Sequence, residues 1–141
     1  MKKRSGVSKT FCSKVISGNQ IGRTIGFPTA NLLVDSSTLF IEKGVYGVKV
    51  KCQDKNYFGI MNVGSRPTVN KENLHFHYEV HIFDFCGDIY GQELTVETCF
   101  FVRKEMVFQS LEKLVRQIER DVQYTKLKFG LKYDLENIFF G

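Results

Sequence analysis

Apolar and polar residues alternate along several stretches of this chain, which limits the fold to one built mainly of strands. The clearest stretch predicts a strand over 46–52, because side chains with a period of two fall on opposite faces of a strand. One face would hold Tyr46, Val48, Val50 and Cys52. A turn at 53–56 then leads into a second strand over 57–63, so these two strands are expected to form a hairpin.

Four further stretches predict strands, at 9–17, 29–34, 75–85 and 93–102. Pro28 directly precedes the second of them, where its missing N–H falls outside the ladder. The apolar faces of the last two would hold Phe76, Tyr78, Val80 and Ile82, and then Leu94, Val96, Phe100 and Val102. A loop over 86–91 joins these two strands.

The period changes from two to that of a helix after Ser110. An apolar stripe of helical spacing follows, formed by Leu111, Leu114, Val115, Ile118 and Val122. Ser110 is a favourable N-cap and Gly130 a favourable stop, and a shorter helix is expected within 133–139. Strands first and a helix last exclude alternating βαβ units. We therefore expect a mainly β fold: an antiparallel sheet closed into a small barrel, with the helix packed on its outside.

Length and charge fit one folded domain. The chain has 141 residues with 43% hydrophobic and 25% charged, which excludes a disordered chain. Its net charge is +5, and this excess lies within the first 35 residues. Such a basic start suits phosphate-bearing ligands, although it is also typical of a solubilising tail. We assign 1–8 to a basic tail and 9–141 to one domain, with the barrel over about 9–102 and the helical part over about 110–139.

Four cysteines occur, and none belongs to a C-x-x-C pair. We expect reduced, mostly buried thiols rather than a zinc or redox site. No apolar stretch approaches the roughly 20 residues of a membrane span, and no apolar signal core follows the basic start. The expected location is the cytoplasm, without a membrane partner.

The segment 18–32 is rich in glycine and carries one arginine, so its backbone N–H groups can approach an anion. It leads into a strand, which excludes a Walker loop or a dinucleotide fingerprint, and a mobile hairpin tip is the alternative. Thr29 and Asn31 lie on one strand face about 6.6 Å apart. Their neutral oxygens suit Mg²⁺ that shares a phosphate-bearing substrate. Alternatively, they only hydrogen-bond the loop.

A second cluster places His75, His77, Glu79 and His81 on one strand face. Metal binding is one interpretation, but His77 and His81 lie about 13 Å apart, too far for one ion. A solvated histidine face is another. In the third, Glu79 is a general base that takes the proton of a substrate hydroxyl as its oxygen attacks phosphorus. Arg103 would either bind an anion or flat ring, or face solvent as a strand-end cation.

Several motifs of this chain resemble those of riboflavin kinases and occur in the same order. They are Gly22–Leu32, Gly44–Gly47, Asn62–Thr68, Glu79–Phe85, Gly87–Gly91 and Phe108–Glu112. The resemblance runs from about Lys9 to Tyr124. It implies a six-stranded antiparallel Greek-key barrel with an external helix. It also implies ATP-dependent phosphorylation of the riboflavin 5′-hydroxyl, which gives FMN and ADP.

The resemblance also implies roles for individual residues. Thr29 and Asn31 match Mg²⁺ ligands, with Zn²⁺ or Mn²⁺ as alternatives, and Glu79 matches the catalytic base. Positions that line the ATP site match Gly18, Arg23, Thr29, Ile82, Asp84 and Tyr90. Flavin-contacting positions match Arg103, Met106 and Phe108. Arg23 and Met106 depart from some members of the family, which have lysine there.

Bacterial riboflavin kinases are usually fused to a half that converts FMN to FAD. The resemblance therefore implies either a stand-alone kinase or an excised domain, and we expect a monomer that binds no nucleic acid. Two other functions fit a small barrel. An OB-like module would bind single-stranded nucleic acid, but its groove should be basic along its length. A barrel oxidoreductase would keep FMN bound as a cofactor.

Overall fold

A computed structural model of the chain describes residues 8–19, 26–34, 41–66, 75–85 and 87–131. The chain divides into two compact units, Met1–Glu105 and Met106–Gly141. The described strands lie in the first unit: β1 (Thr10–Asn19), β2 (Thr29–Leu33), β3 (Gly44–Cys52), β4 (Lys55–Arg66), β5 (His75–Ile82) and β6 (Glu93–Arg103). The second unit holds the helix α1 (Leu111–Lys128). Each predicted strand is present, with ends shifted by at most three residues.

The strands close into a barrel in the order β1, β2, β5, β4, β3, β6. Every neighbouring pair is antiparallel. The strands β3, β4 and β5 follow one another, and β6 then returns to lie beside β3. This is a Greek-key arrangement. The predicted mainly β class, the six-stranded barrel and the C-terminal helix are confirmed.

The alternation that predicted the strands also fills the barrel. On β3, Val48, Val50 and Cys52 are at most 2% exposed. The inward residues of the other strands join them in one core, which includes Val15, Leu32, Met61, Val63, Tyr78, Val80, Ile82, Leu94 and Val96. Because side chains alternate with a period of two along a strand, the residues between these core residues face outward. The outer surface of the barrel therefore carries the polar motifs.

The predicted apolar face of β6 is wrong beyond Val96. Thr98 takes the next inward position opposite Val48, and two register shifts follow against β3. Each shift places an extra residue in β6, which reverses the alternation locally. Phe100 therefore pairs with Gly47. Its ring lies so close to Gly47 that a Cβ there would overlap it.

The hairpin between β3 and β4 turns on two residues. Gln53 and Asp54 have φ of 52° and 65°, the conformation of a type I′ turn. This turn matches the right-handed twist of the strands, so β4 begins at Lys55. The predicted turn at 53–56 was therefore too long.

Both ends of α1 form as predicted. The Ser110 Oγ accepts a hydrogen bond from the Lys113 N–H at 3.2 Å. At the other end Gly130 has φ of 76°, and the Leu131 N–H donates to the Lys126 carbonyl at 2.8 Å. A left-handed residue of this kind satisfies the last carbonyls of a helix. No helix in the described ranges is long and apolar enough to span a membrane.

Some predictions fall outside the described residues: the tail over 1–7, the glycine-rich loop over 20–25 and the helix over 133–139.

The cysteines Cys12, Cys52 and Cys99 are free thiols. Burial raises the pKa of Cys52 and of Cys99, where the nearby Glu97 carboxylate adds to the effect. Cys12 is exposed, so the expectation of burial is wrong for it.

Candidate active site

Glu79 lies in the middle of β5 with an asparagine on each side. It pairs with Asn31 of β2 and with Asn62 of β4. Residues directly opposite in antiparallel strands share a face, with Cβ atoms about 4.5–5.5 Å apart. Because Tyr78 and Val80 point into the core, Glu79 and both asparagines belong to the outer face. Three polar side chains therefore stand in one row across neighbouring strands.

Thr29 adds a second oxygen donor beside this row. It precedes Asn31 by two residues on β2, and its Oγ1 donates to Glu79 Oε1 over 3.5 Å. The Oδ1 atom of Asn31 is buried. The structure thus brings Glu79 next to Thr29 and Asn31, which precede it in the chain by 50 and 48 positions. Sequence spacing alone predicted only the shared face of Thr29 and Asn31.

Two histidines of β5 also contact this site. His77 Nε2 lies 3.3 Å from Glu79 Oε1. His81 Nδ1 lies 2.7 Å from the Pro28 carbonyl oxygen, and because a carbonyl only accepts, the ring nitrogen donates. The bond ties the residue before Thr29 to β5. His77 and His81 are therefore more than a solvated histidine face.

The His81 ring is packed between two phenylalanines. Phe27 and Phe83 both meet it edge to face, with ring centroids 5.8 Å away. These contacts fix the ring orientation that the bond to Pro28 requires. Within the described ranges, no group of three histidine, cysteine or acidic residues is placed to hold a metal ion.

The row of outer-face residues continues across the barrel to Arg103. Asn62 pairs with Val45 of β3, and Val45 pairs with Arg103 of β6. In the closed order of six strands, β5 and β6 are three places apart in either direction, so Glu79 and Arg103 lie on opposite strands of the barrel. The Arg103 Nη1 donates to the Lys104 carbonyl at 3.0 Å. The outward side chains of Glu79 and Arg103 therefore start from opposite sides of the barrel, and the strand register does not bring them together.

The oxygen atoms beside Glu79 fit a hard divalent cation. Mg²⁺ prefers oxygen ligands and commonly shares its shell with substrate phosphates. Thr29 offers a hydroxyl and Asn31 a buried carbonyl oxygen on one face, with the Glu79 carboxylate alongside. This donor set lacks sulfur and is poor in nitrogen, which favours Mg²⁺ over a transition metal.

The residues predicted to line the ATP site are spread over several elements. Gly18 pairs with Ala30 of β2. The Ile82 side chain lies in the barrel core, so only its backbone can face a nucleotide. Asp84 has φ of 57° in the turn after β5, and Tyr90 is 69% exposed. Arg23 lies outside the described residues, and the nucleotide roles of this set stay predictions.

The second unit contains a cavity of about 400 Å³. Met106 and Phe108, both predicted to contact flavin, lie in its wall. The other lining residues are Val107, Gln109, Lys113, Arg116, Gln117 and Arg120. The Arg116 Nη2 is 2.6 Å from the Glu112 carboxylate on the same helix face. The cavity therefore combines an apolar wall with a basic one.

The sequence analysis did not single out Asn62 as a site residue, and it considered His77 only as a possible metal ligand or as an ordinary histidine beside Glu79. Asn62 belongs to the motif Asn62–Thr68, and its position between inward Met61 and Val63 indicates an outward side chain. His77 stands two residues before Glu79, on the same face. Both signals were present in the sequence, but only the strand register places Asn62 opposite Glu79, and only the 3.3 Å distance shows that His77 contacts it.

Comparison with known proteins assigns this arrangement to a family. The flavokinase family model, described as riboflavin kinase, matches residues 5–129. The chain belongs to the riboflavin kinase family. It is 48% identical over 118 residues to a bifunctional riboflavin kinase/FMN adenylyltransferase of Haemophilus influenzae, covering 83% of this chain and 37% of that protein. It is 41% identical over 117 residues to an RNA-binding riboflavin kinase of Bacillus subtilis, covering 83% and 50%.

Solved structures share the fold of this family member. A Streptococcus pneumoniae chain described as a macrolide-efflux protein aligns with a TM-score of 0.77 at 36% identity, over 86% of this chain and 39% of that one. Riboflavin kinase from Trypanosoma brucei aligns with a TM-score of 0.61 at 23% identity, over 87% and 80%. The chain spans half or less of the length of the two curated relatives.

Proposed function

We propose that this chain transfers the terminal phosphoryl group of ATP to the 5′-hydroxyl of riboflavin, giving FMN and ADP. The observation that supports this function best is the contact of Glu79 with Thr29, beside Asn31. A carboxylate next to two neutral oxygen donors suits proton removal beside a metal-bound phosphate. Membership of the riboflavin kinase family supplies the substrate class.

In this mechanism Glu79 accepts the proton of the ribityl hydroxyl. That oxygen forms a bond to the γ-phosphorus, while the bond from the γ-phosphorus to the β–γ bridging oxygen breaks and ADP leaves. Thr29 and Asn31 would hold Mg²⁺, which supplies neutralisation of phosphate charge when bound. The Thr29 hydroxyl also holds the Glu79 carboxylate next to β2, where it would accept the proton of a substrate hydroxyl.

The remaining site assignments are proposals that rest on the family resemblance. Gly18, Arg23, Asp84, Tyr90 and the backbone of Ile82 would contact ATP. Arg103, Met106 and Phe108 would contact the flavin.

The decisive assay measures FMN and ADP formed from ATP and riboflavin, with and without a chelator. We expect equal amounts of both products and loss of both with the chelator. Reduction of a bound flavin by NAD(P)H, without ATP consumption, would instead identify an oxidoreductase. Binding of single-stranded nucleic acid without phosphoryl transfer would identify an OB-like module.

The general base is tested by Glu79→Gln, which keeps the shape of the side chain. We expect turnover to fall by about 10² to 10⁴, with binding of ATP and riboflavin nearly unchanged. Glu97→Gln is the matched control, because Glu97 lies on β6 opposite Lys49 and Thr10, away from the row. Turnover retained in Glu79→Gln would remove Glu79 from this role.

A further inference from the structure

The sequence places His77 on the same strand face as Glu79, and the structure brings the two side chains into contact. The His77 Nε2 lies 3.3 Å from Glu79 Oε1, and the side chains are 24% and 13% exposed. We propose that His77 is a positioning residue: its Nε2–H donates to Glu79 and holds the carboxylate in the direction that proton removal requires. The role rests on the proposed function, in which Glu79 is the base.

The position of His77 on the strand makes this contact specific. Residues two apart on a strand share a face, with Cα atoms about 6.6 Å apart. The imidazole must therefore lean along β5 toward Glu79 to reach 3.3 Å. The residue paired with His77 on β4 is Gly64, which contributes no side chain of its own there.

A carboxylate occupies the outer face above Gly64. The Glu105 Oε1 lies 2.9 Å from the point that a Cβ of Gly64 would occupy. Glu105 therefore lies over Gly64, the residue opposite His77 on β4. An ionised carboxylate only accepts hydrogen bonds, so the Nε2 atom of His77 is the donor in its contact with Glu79.

Two donors reach the same oxygen of Glu79 from different directions. The Thr29 hydroxyl donates to Oε1 from β2 over 3.5 Å, and His77 approaches it along β5. A carboxylate held from two directions loses rotation about its last torsion. His81 donates through Nδ1 to Pro28 instead. The two rings therefore carry opposite tautomers, each fixed by its acceptor.

This role predicts a loss of turnover without a loss of substrate binding. His77 orients the base, and misplacement of a reacting group by about 1 Å lowers rates by up to 10²-fold. We expect His77→Leu to lower kcat about tenfold while both KM values change by less than about twofold. His77→Gln keeps an N–H donor of similar reach and should recover most of kcat.

Kinetics of the full chain separate this role from others. Leu and Gln variants that are equally impaired would show that the ring matters for packing alone, and would overturn the proposal. A higher KM with unchanged kcat in His77→Leu would also overturn it, because it indicates direct substrate binding. Absence of FMN formation in the unchanged chain would reject the proposed function instead.

A spectroscopic measurement tests the contact without turnover. In the ¹⁵N-labelled protein at pH 8, the His77 ring should show the Nε2–H tautomer, because Glu79 accepts from that nitrogen. In Glu79→Leu the acceptor is lost, and the ring nitrogen shifts should move toward a mixture of tautomers. If the His77 ring shifts are the same in Glu79→Leu as in the unchanged chain, the proposal is overturned, even when the unchanged chain forms FMN.

Discussion

The Tyr78 hydroxyl is a buried polar group whose removal should stabilise the barrel. Tyr78 is 1% exposed, and its hydroxyl is buried without a hydrogen-bond partner among the described residues. A buried hydroxyl that loses its water and gains no partner costs about 1–3 kcal/mol. The small cavity left by the oxygen costs roughly 0.3 kcal/mol. Tyr78→Phe should therefore raise the free energy of unfolding by about 1–2 kcal/mol.

Two other tyrosines make this a matched series. The Tyr46 hydroxyl donates to the Glu42 carbonyl at 2.6 Å, so Tyr46→Phe should lower the free energy of unfolding by about 0.5–1.5 kcal/mol. Tyr57 is half-buried and packs against Phe85 with ring centroids 5.3 Å apart. Its hydroxyl is not among the buried unpaired atoms, so Tyr57→Phe should change stability by less than about 0.5 kcal/mol.

Urea denaturation followed by circular dichroism measures the free energy of unfolding of the three variants. The same measurement at alkaline pH gives a second test of Tyr78. Burial raises the pKa of Tyr78 above its usual 10.0. The unfolded chain therefore loses this proton first, and stability falls as the pH rises above about 10. Tyr78→Phe lacks that loss, so its advantage should widen at alkaline pH. A variant less stable than the unchanged chain by about 1 kcal/mol would show that the hydroxyl is hydrogen-bonded, and would refute the reasoning.

Three further predictions follow from individual contacts. Asn31→Ala should weaken binding of Mg²⁺-ATP more than binding of riboflavin, as measured by separate titrations, whereas equal losses would point to a folding defect. Gly47→Ala should lower the free energy of unfolding by about 1–3 kcal/mol because the new methyl overlaps the Phe100 ring, and Phe100→Ala in the same chain should relieve that overlap. Ser110→Ala should cost about 1 kcal/mol in thermal denaturation through the lost N-cap, and Ser110→Asp should not.

Local patterns were sufficient for the elements of this fold. All six strands were located from the sequence. For β3, β5 and the first half of β6 the signal was the period of two, because each of these buries one face in the barrel core. Ser110 and Gly130 predicted the two helix ends. The Ser110 side chain accepts a hydrogen bond from an unpaired N–H of the first turn, and the backbone freedom of Gly130 allows the last carbonyls of the helix to be satisfied. These signals depend on neighbours within a few residues.

Such local patterns do not predict which residues of different strands lie opposite each other in the barrel. The contact of Thr29 with Glu79 joins positions far apart in the chain, and it is fixed by the register of β2 against β5. The bulges of β6 depend likewise on β3, and they reversed the predicted orientation of Phe100. The contact of His77 with Glu79 was likewise not predicted. Histidine is common on a solvated face, and only the 3.3 Å distance to Glu79 distinguishes His77.

The closed ladder of six strands has a consequence for how such a barrel can be used. Every described strand has a neighbour on both sides. No described strand therefore offers a row of unpaired backbone N–H and carbonyl groups with which an additional strand could pair. A unit of this kind can be joined to another folded body through a linker with little risk of intermolecular sheet growth. Relatives of this chain occur in bifunctional proteins, and a sheet without edges tolerates that coupling well.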